Sequence, residues 1–134
     1  MRIMPRDKMD ARAEYRARQQ QRVSDSAPLS DRFPQLKSLS VDLGHYDSQG
    51  LSRTSQMKYT LNLNRARSLF CIDCSNPECV CGDFDLSDLI DHTVAERRED
   101  VTGELRCGGW LSRTMIDQVR CRRILRYRLT LAYR

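Results

Sequence analysis

No run of apolar residues in this chain approaches the roughly 20 that a helix needs to cross a bilayer, so no helical membrane span is expected. The opening stretch MRIMPRDKMDARAEYRARQQQ carries charge but no apolar h-region. It does not read as a secretory leader, and a cytoplasmic location is expected. Catalytic signatures are missing too: no GxSxG, Walker A, GxGxxG or HExxH occurs, which lowers the expectation of an enzyme. Histidine is scarce. His45 sits among Gly, Asp and Ser, and His92 falls on the polar side of a helical stretch, so both read as surface residues. Asp83, Asp85, Asp88 and Asp91 gather near the start of that stretch, where acids suit the helix dipole.

Cysteine, by contrast, is abundant and clustered. Four of the six cysteines fall within CIDCSNPECVC, Cys71 to Cys81. In a reducing compartment such clusters read as metal ligands or redox groups, not as a disulfide framework. Zinc bound by four thiolates needs its sulfurs tetrahedral at about 2.3 Å from the ion. Cys71-x2-Cys74 has the spacing of a knuckle, in which a tight turn brings i and i+3 to one centre. Cys79-x-Cys81 fits only if the chain bends, and Pro77 and Gly82 supply turn signals. The expected ligand set is therefore Cys71, Cys74, Cys79 and Cys81.

A second set pairs two loop cysteines with Cys107 and Cys121. These two lie in phase with apolar positions of flanking strands, and the preferred reading makes them small buried hydrophobes. Zinc is preferred over iron–sulfur. Cys74-x4-Cys79 matches the first gap of a plant-type ferredoxin, but the next gap is one residue instead of two. A redox role for Cys71 and Cys74 is disfavoured, because Ser-Asn-Pro follows them where a thiolate-stabilising helix would be needed.

Charge is unevenly distributed. Residues 1–22 carry seven basic and three acidic groups, residues 23–103 eight and thirteen, and residues 104–134 eight and two. Basic ends suit a nucleic-acid partner, and they equally suit neutralisation by the acidic middle. Residues 1–32 lack an apolar stripe and read as a flexible basic arm, helical in part or on a partner.

Residues 33–134 read as one metal-binding domain. Leu39, Val41 and Leu43 alternate with polar residues, as do Met57, Tyr59, Leu61 and Leu63, predicting two antiparallel strands. Leu86, Leu89, Ile90, Thr93 and Val94 have helical spacing, predicting a helix over 86–98 capped by Asp85 or Ser87. Residues 101–107 alternate again, Leu111, Met115, Ile116 and Val119 suit a short helix, and CRRILRYRLTLAYR is the clearest strand. The fold class is α+β: a small single domain, an antiparallel sheet of about four strands, and one main helix on one face.

The last strand also carries Arg122, Arg126, Arg128 and Arg134 on its even-numbered face, with Arg106 on the neighbouring strand. Arginine forks in a row suit phosphate, although a solvated or internally paired stripe accounts for them equally well. The functional expectation is a non-catalytic, zinc-stabilised module that contacts nucleic acid through arm and stripe. Its rivals are a protein–protein adaptor with a structural zinc and, in another class, a thiol redox or metal-dependent enzyme.

Overall fold

The alternation in CRRILRYRLTLAYR produces the strand on which the sheet is built. A computed structural model describes residues 4–113 and 116–134. In it β8 (Ile124–Tyr133) pairs antiparallel with β1 (Leu36–Tyr46) on one side and β5 (Asp100–Arg106) on the other. Strand β2 (Arg53–Thr60) adds beyond β1, giving the order β2-β1-β8-β5. The register places Val41 opposite Leu129 and Leu129 opposite Val101, so one face is apolar across three strands. The other face carries Asp42 opposite Arg128 and Glu104 opposite Arg126. The expected α+β sheet of four antiparallel strands is present.

Helix α3 (Ser87–Ala95) covers the apolar face. Its Ile90 and Val94 are buried in one cluster with Leu39, Val41, Leu43 and Leu129. Burying each such side chain is worth about 1.5–3 kcal/mol. The helix begins where the Asp85 carboxylate accepts from the Ser87 N–H at 2.8 Å, and the Ser87 hydroxyl accepts from Phe70 N–H at 2.8 Å. It ends before residue 98 because Arg97 turns left-handed (φ 51°), with Arg98 N–H bonding Thr93 and Arg97 N–H bonding Val94. That is a Schellman closure made without glycine.

Two expectations need adjustment. His45 is not a surface residue: β1 runs through it, and it lies 3% exposed on the apolar face against the edge of Phe84. The short helix expected within 111–120 is instead a hairpin of β6 (Trp110–Arg113) and β7 (Gln118–Arg120); Met115 lies outside the described residues. Backbone pairing fixes that hairpin, with Trp110 and Val80 exchanging two 2.9 Å hydrogen bonds at its base. The basic segment 1–32 holds two helices. In α1 (Met4–Asp25) none of the described side chains is buried, whereas in α2 (Leu29–Arg32) Leu29 is fully buried and Phe33 follows it into the core.

Candidate metal centre

The Cys loop contributes only half of its thiols to the centre. Strands β3 (Cys71–Asp73) and β4 (Asp83–Asp85) form a small hairpin that brackets the loop. Cys74 leaves β3 and Cys79 closes a turn in which its N–H bonds Asn76 O at 3.1 Å. Cys107 follows β5 directly, and Cys121 follows β7. Pairing across the hairpin base brings those last two together, through Cys121 N–H to Gly109 O at 3.0 Å and Cys107 N–H to Arg123 O at 2.8 Å.

The four sulfurs of Cys74, Cys79, Cys107 and Cys121 all lie within 4.8 Å of one another. Cys74 to Cys121 and Cys79 to Cys107 are both 3.6 Å apart. A tetrahedron with 2.3 Å metal–sulfur bonds has edges of about 3.8 Å. All four residues are free thiols and at most 5% exposed. The geometry fits one ion enclosed by four sulfurs.

The surroundings fit thiolates as well. Backbone N–H groups two residues onward point at three of the sulfurs: Asn76 at Cys74, Gly109 at Cys107 (3.3 Å) and Arg123 at Cys121. Such donors stabilise the charged sulfur and orient it. The Asn76 amide adds a 3.8 Å contact to Cys121. Without a cation the four groups cannot all ionise. Hydrogen bonding from Cys107 holds Cys74 and Cys121 low, while shared protons push Cys79 and Cys107 up.

Two glycines close the centre. A Cβ on Gly82 would collide with the sulfurs of Cys79 and Cys107. One on Gly109 would lie 2.5 Å from the Cys79 sulfur and 2.7 Å from the Gly82 Cα. Backbone therefore packs directly on the sulfurs, and only glycine permits it.

Cys71 and Cys81 are not in this group. An extended chain advances about 3.3 Å per residue, so the β3 conformation carries Cys71 roughly 10 Å along the chain from Cys74, too far to share an ion. Cys81 adopts a left-handed φ of 60°, which turns the chain before β4. Both thiols are partly exposed, and burial, then Asp85 and Asp83, push Cys71 up to about 11.

Four of the five arginines of the expected stripe are engaged. Arg128 makes a two-pronged pair with Asp100 at 3.0 and 2.8 Å. Arg126 reaches Glu104 at 3.3 Å and stacks on Tyr46. Arg106 donates to Ser48 O and Arg134 to Leu36 O. Arg122 is exposed and left-handed (φ 54°) beside Cys121.

The metal loop has one further neighbour that the sequence reading did not place there. Helix α1 lies against it through a polar face. Arg12 donates to Asn76 O at 2.7 Å and Cys79 O at 2.9 Å, and Arg16 stands 3.7 Å from Asp73. Tyr15 and Gln19 donate to the Asp83 carboxylate at 3.2 and 2.6 Å. Burial and then Asp83 raise the Tyr15 hydroxyl to about 12.

No known protein family, curated protein or solved structure matches the chain.

Proposed function

We propose that this chain is a non-catalytic binding module folded around one structural zinc ion, and that its basic surface contacts the phosphate backbone of a nucleic acid. The observation that carries the reading is the buried tetrathiol group gathered from the loop, the end of β5 and the far side of the β6–β7 hairpin. Four protein ligands, each nearly inaccessible, leave no position for water or substrate, as structural sites do and catalytic sites do not. Four soft sulfurs around one tetrahedral point suit zinc, whereas a multi-iron cluster would spread them over several metal atoms. An ion here would tie the loop to the sheet and hold the hairpin. The raised Cys71 thiol argues against thiol chemistry, which needs a depressed pKa.

For the nucleic-acid contact, the supports are the net charge of +5 and the arginines of α1 and of the β7–β8 junction. A protein partner is the rival, and salt separates the two. Binding to phosphate weakens steeply with salt because counterions are released, and an adaptor contact responds weakly.

The test is elemental analysis of protein purified without added metal, together with titration of free thiols. One zinc per chain, with four thiols protected and only Cys71 and Cys81 titrating, Cys71 slowly because its pKa is raised, is the expected result. Iron in place of zinc would overturn the zinc assignment. Six titratable thiols and no metal would overturn the reading as a whole.

A further inference from the structure

Helix α1 presents a puzzle of packing. A docked helix normally buries an apolar stripe, yet the face that α1 turns to the metal loop is Arg12, Tyr15, Arg16, Gln19 and Arg22. At 100° per residue these five fall within about one third of the helix circumference. Asp10, Glu14 and Asp25 fall on the opposite side. The loop-facing side of α1 thus carries Arg12, Arg16 and Arg22 and no acid, whereas Asp10, Glu14 and Asp25 lie on the far side, where Arg18 pairs with Glu14. The surface they meet is made of anions and carbonyl oxygens: Asp73, Asp83, Asn76 O and Cys79 O.

We infer that this face of α1 is a nucleic-acid-binding surface, and that the acidic face of the metal loop covers it by occupying the positions that phosphates would take. The inference rests on the nucleic-acid reading above and says which residues carry the contact. Guanidinium groups four residues apart on a helix, interleaved with a tyrosine and a glutamine, offer forked donors at the spacing of a phosphate backbone. A membrane surface is the wrong partner, because an interfacial helix needs an apolar face to sink and α1 has none. Asp73 and Asp83 imitate phosphates in cis. Because none of the described α1 side chains is buried, a chain of real phosphates competes for the arginines without disrupting a core.

The cover also depends on the metal centre. The two carbonyls that hold Arg12 belong to Asn76 and Cys79, the turn leading into one of the four thiols, with Cys74 just before it. An ion that fixes this turn fixes the acceptors for Arg12. A chain with a loosened turn releases the helix.

The test uses the full chain as purified and a fluorescein-labelled 20-nucleotide single strand, read by anisotropy. Three proteins are compared: wild type, Asp73→Asn with Asp83→Asn, and a charge-matched control, Asp88→Asn with Glu96→Gln, two exposed residues at the two ends of α3. Hydrogen exchange of α1 amides, measured without nucleic acid, reports separately whether the helix is released. The loop variant is expected to exchange faster in α1 and to bind about five- to tenfold more tightly, since apparent affinity scales with the fraction of uncovered helix. Adding Arg12→Ala and Arg16→Ala should abolish that gain. An equal gain in the charge-matched control would overturn the proposal, because net charge would then explain it. Faster exchange with no binding in any protein would overturn the nucleic-acid reading along with it. Unchanged exchange with unchanged binding would overturn the cover alone.

Discussion

Two adjacent glycines should respond in opposite ways to the same methyl group. At Gly108 an added Cβ meets nothing within 4 Å. At Gly109 it would lie 2.5 Å from the Cys79 sulfur, 2.7 Å from the Gly82 Cα and 2.8 Å from the Gly82 nitrogen. Two of those three obstacles are backbone atoms of a segment held between the thiol group and β4, so no flexible side-chain end can swing aside. Overpacking usually costs 1–3 kcal/mol, and immovable neighbours put Gly109→Ala at about 3 kcal/mol or more. For a domain of this size that is a fall in Tm of about 10 °C. Gly108→Ala should lie within about 0.5 kcal/mol of wild type, or gain slightly from a stiffer unfolded chain. Thermal melts of the metal-loaded proteins measure the first quantity. Competition with a chromogenic chelator measures a second: Gly109→Ala should lose its ion at lower chelator concentration, because the displaced Cys79 sulfur leaves its corner of the tetrahedron. If both variants melt together, or if Gly108→Ala is the weaker, the backbone does not pack on the sulfurs as described.

Serine at Cys74, Cys79, Cys107 or Cys121 should each abolish stoichiometric metal, while Cys71→Ser and Cys81→Ser should retain it; elemental analysis of the six variants decides, and metal loss confined to the consecutive loop cysteines would refute the assignment. Burial, then the nearby Arg123, holds the His45 pKa below 6.5 in the fold. Below pH 6.5 the unfolded chain therefore takes up a proton that the folded chain resists, and stability should fall with acidification from that point. His45→Leu should flatten this limb of a denaturation series relative to wild type, and an unchanged slope would show that His45 is not its source. Tyr15, raised to about 12, should support α1 docking below pH 10 and withdraw that support as pH climbs toward 12. Burial raises Tyr133 as well, so ultraviolet titration should show late phenolates of which Tyr15→Phe removes one.

What was legible in the sequence follows from periodicity. The alternation of Leu125 to Tyr133 and of Leu39 to Leu43, and the helical spacing of Leu86 to Val94, each put apolar side chains on one face, and the sheet and α3 use those faces. The hairpin between Cys107 and Cys121 was illegible for the opposite reason. Leu111, Ile116 and Val119 fit a helix by spacing, but Val119 stays largely exposed and Ile116 almost wholly so, and backbone pairing with Val80 decides the segment. The centre was half legible. Cysteine density marked the loop, yet proximity in sequence overweighted Cys71, whose neighbours are extended. The signal that would have found the distant pair lies in Cys107-Gly-Gly. A glycine two residues after a cysteine can bring its amide onto that cysteine's sulfur, and Gly109 does so at 3.3 Å.

The uneven charge of the chain resolves into two kinds of internal pairing, and they differ in strength of hold. The basic C-terminal strand is neutralised by its neighbour: Arg126 faces Glu104 and Arg128 reaches Asp100 across a register that seven residue pairs of backbone ladder maintain. The sheet keeps both partners of each pair adjacent, so a pair that opens finds the same partner again. The basic N-terminal helix has no such frame. Among the described residues its hold consists of a few part-buried hydrogen bonds, each worth about 0.5–1.5 kcal/mol net, and one exposed ion pair worth about 0–1 kcal/mol. From this sum must be subtracted the entropy of ordering the arginine and glutamine side chains. A contact so nearly balanced opens often, and modest salt or a competing polyanion suffices to open it further. The two basic ends are thus chemically alike but physically unequal, and of the two it is α1 whose contacts lack a backbone frame.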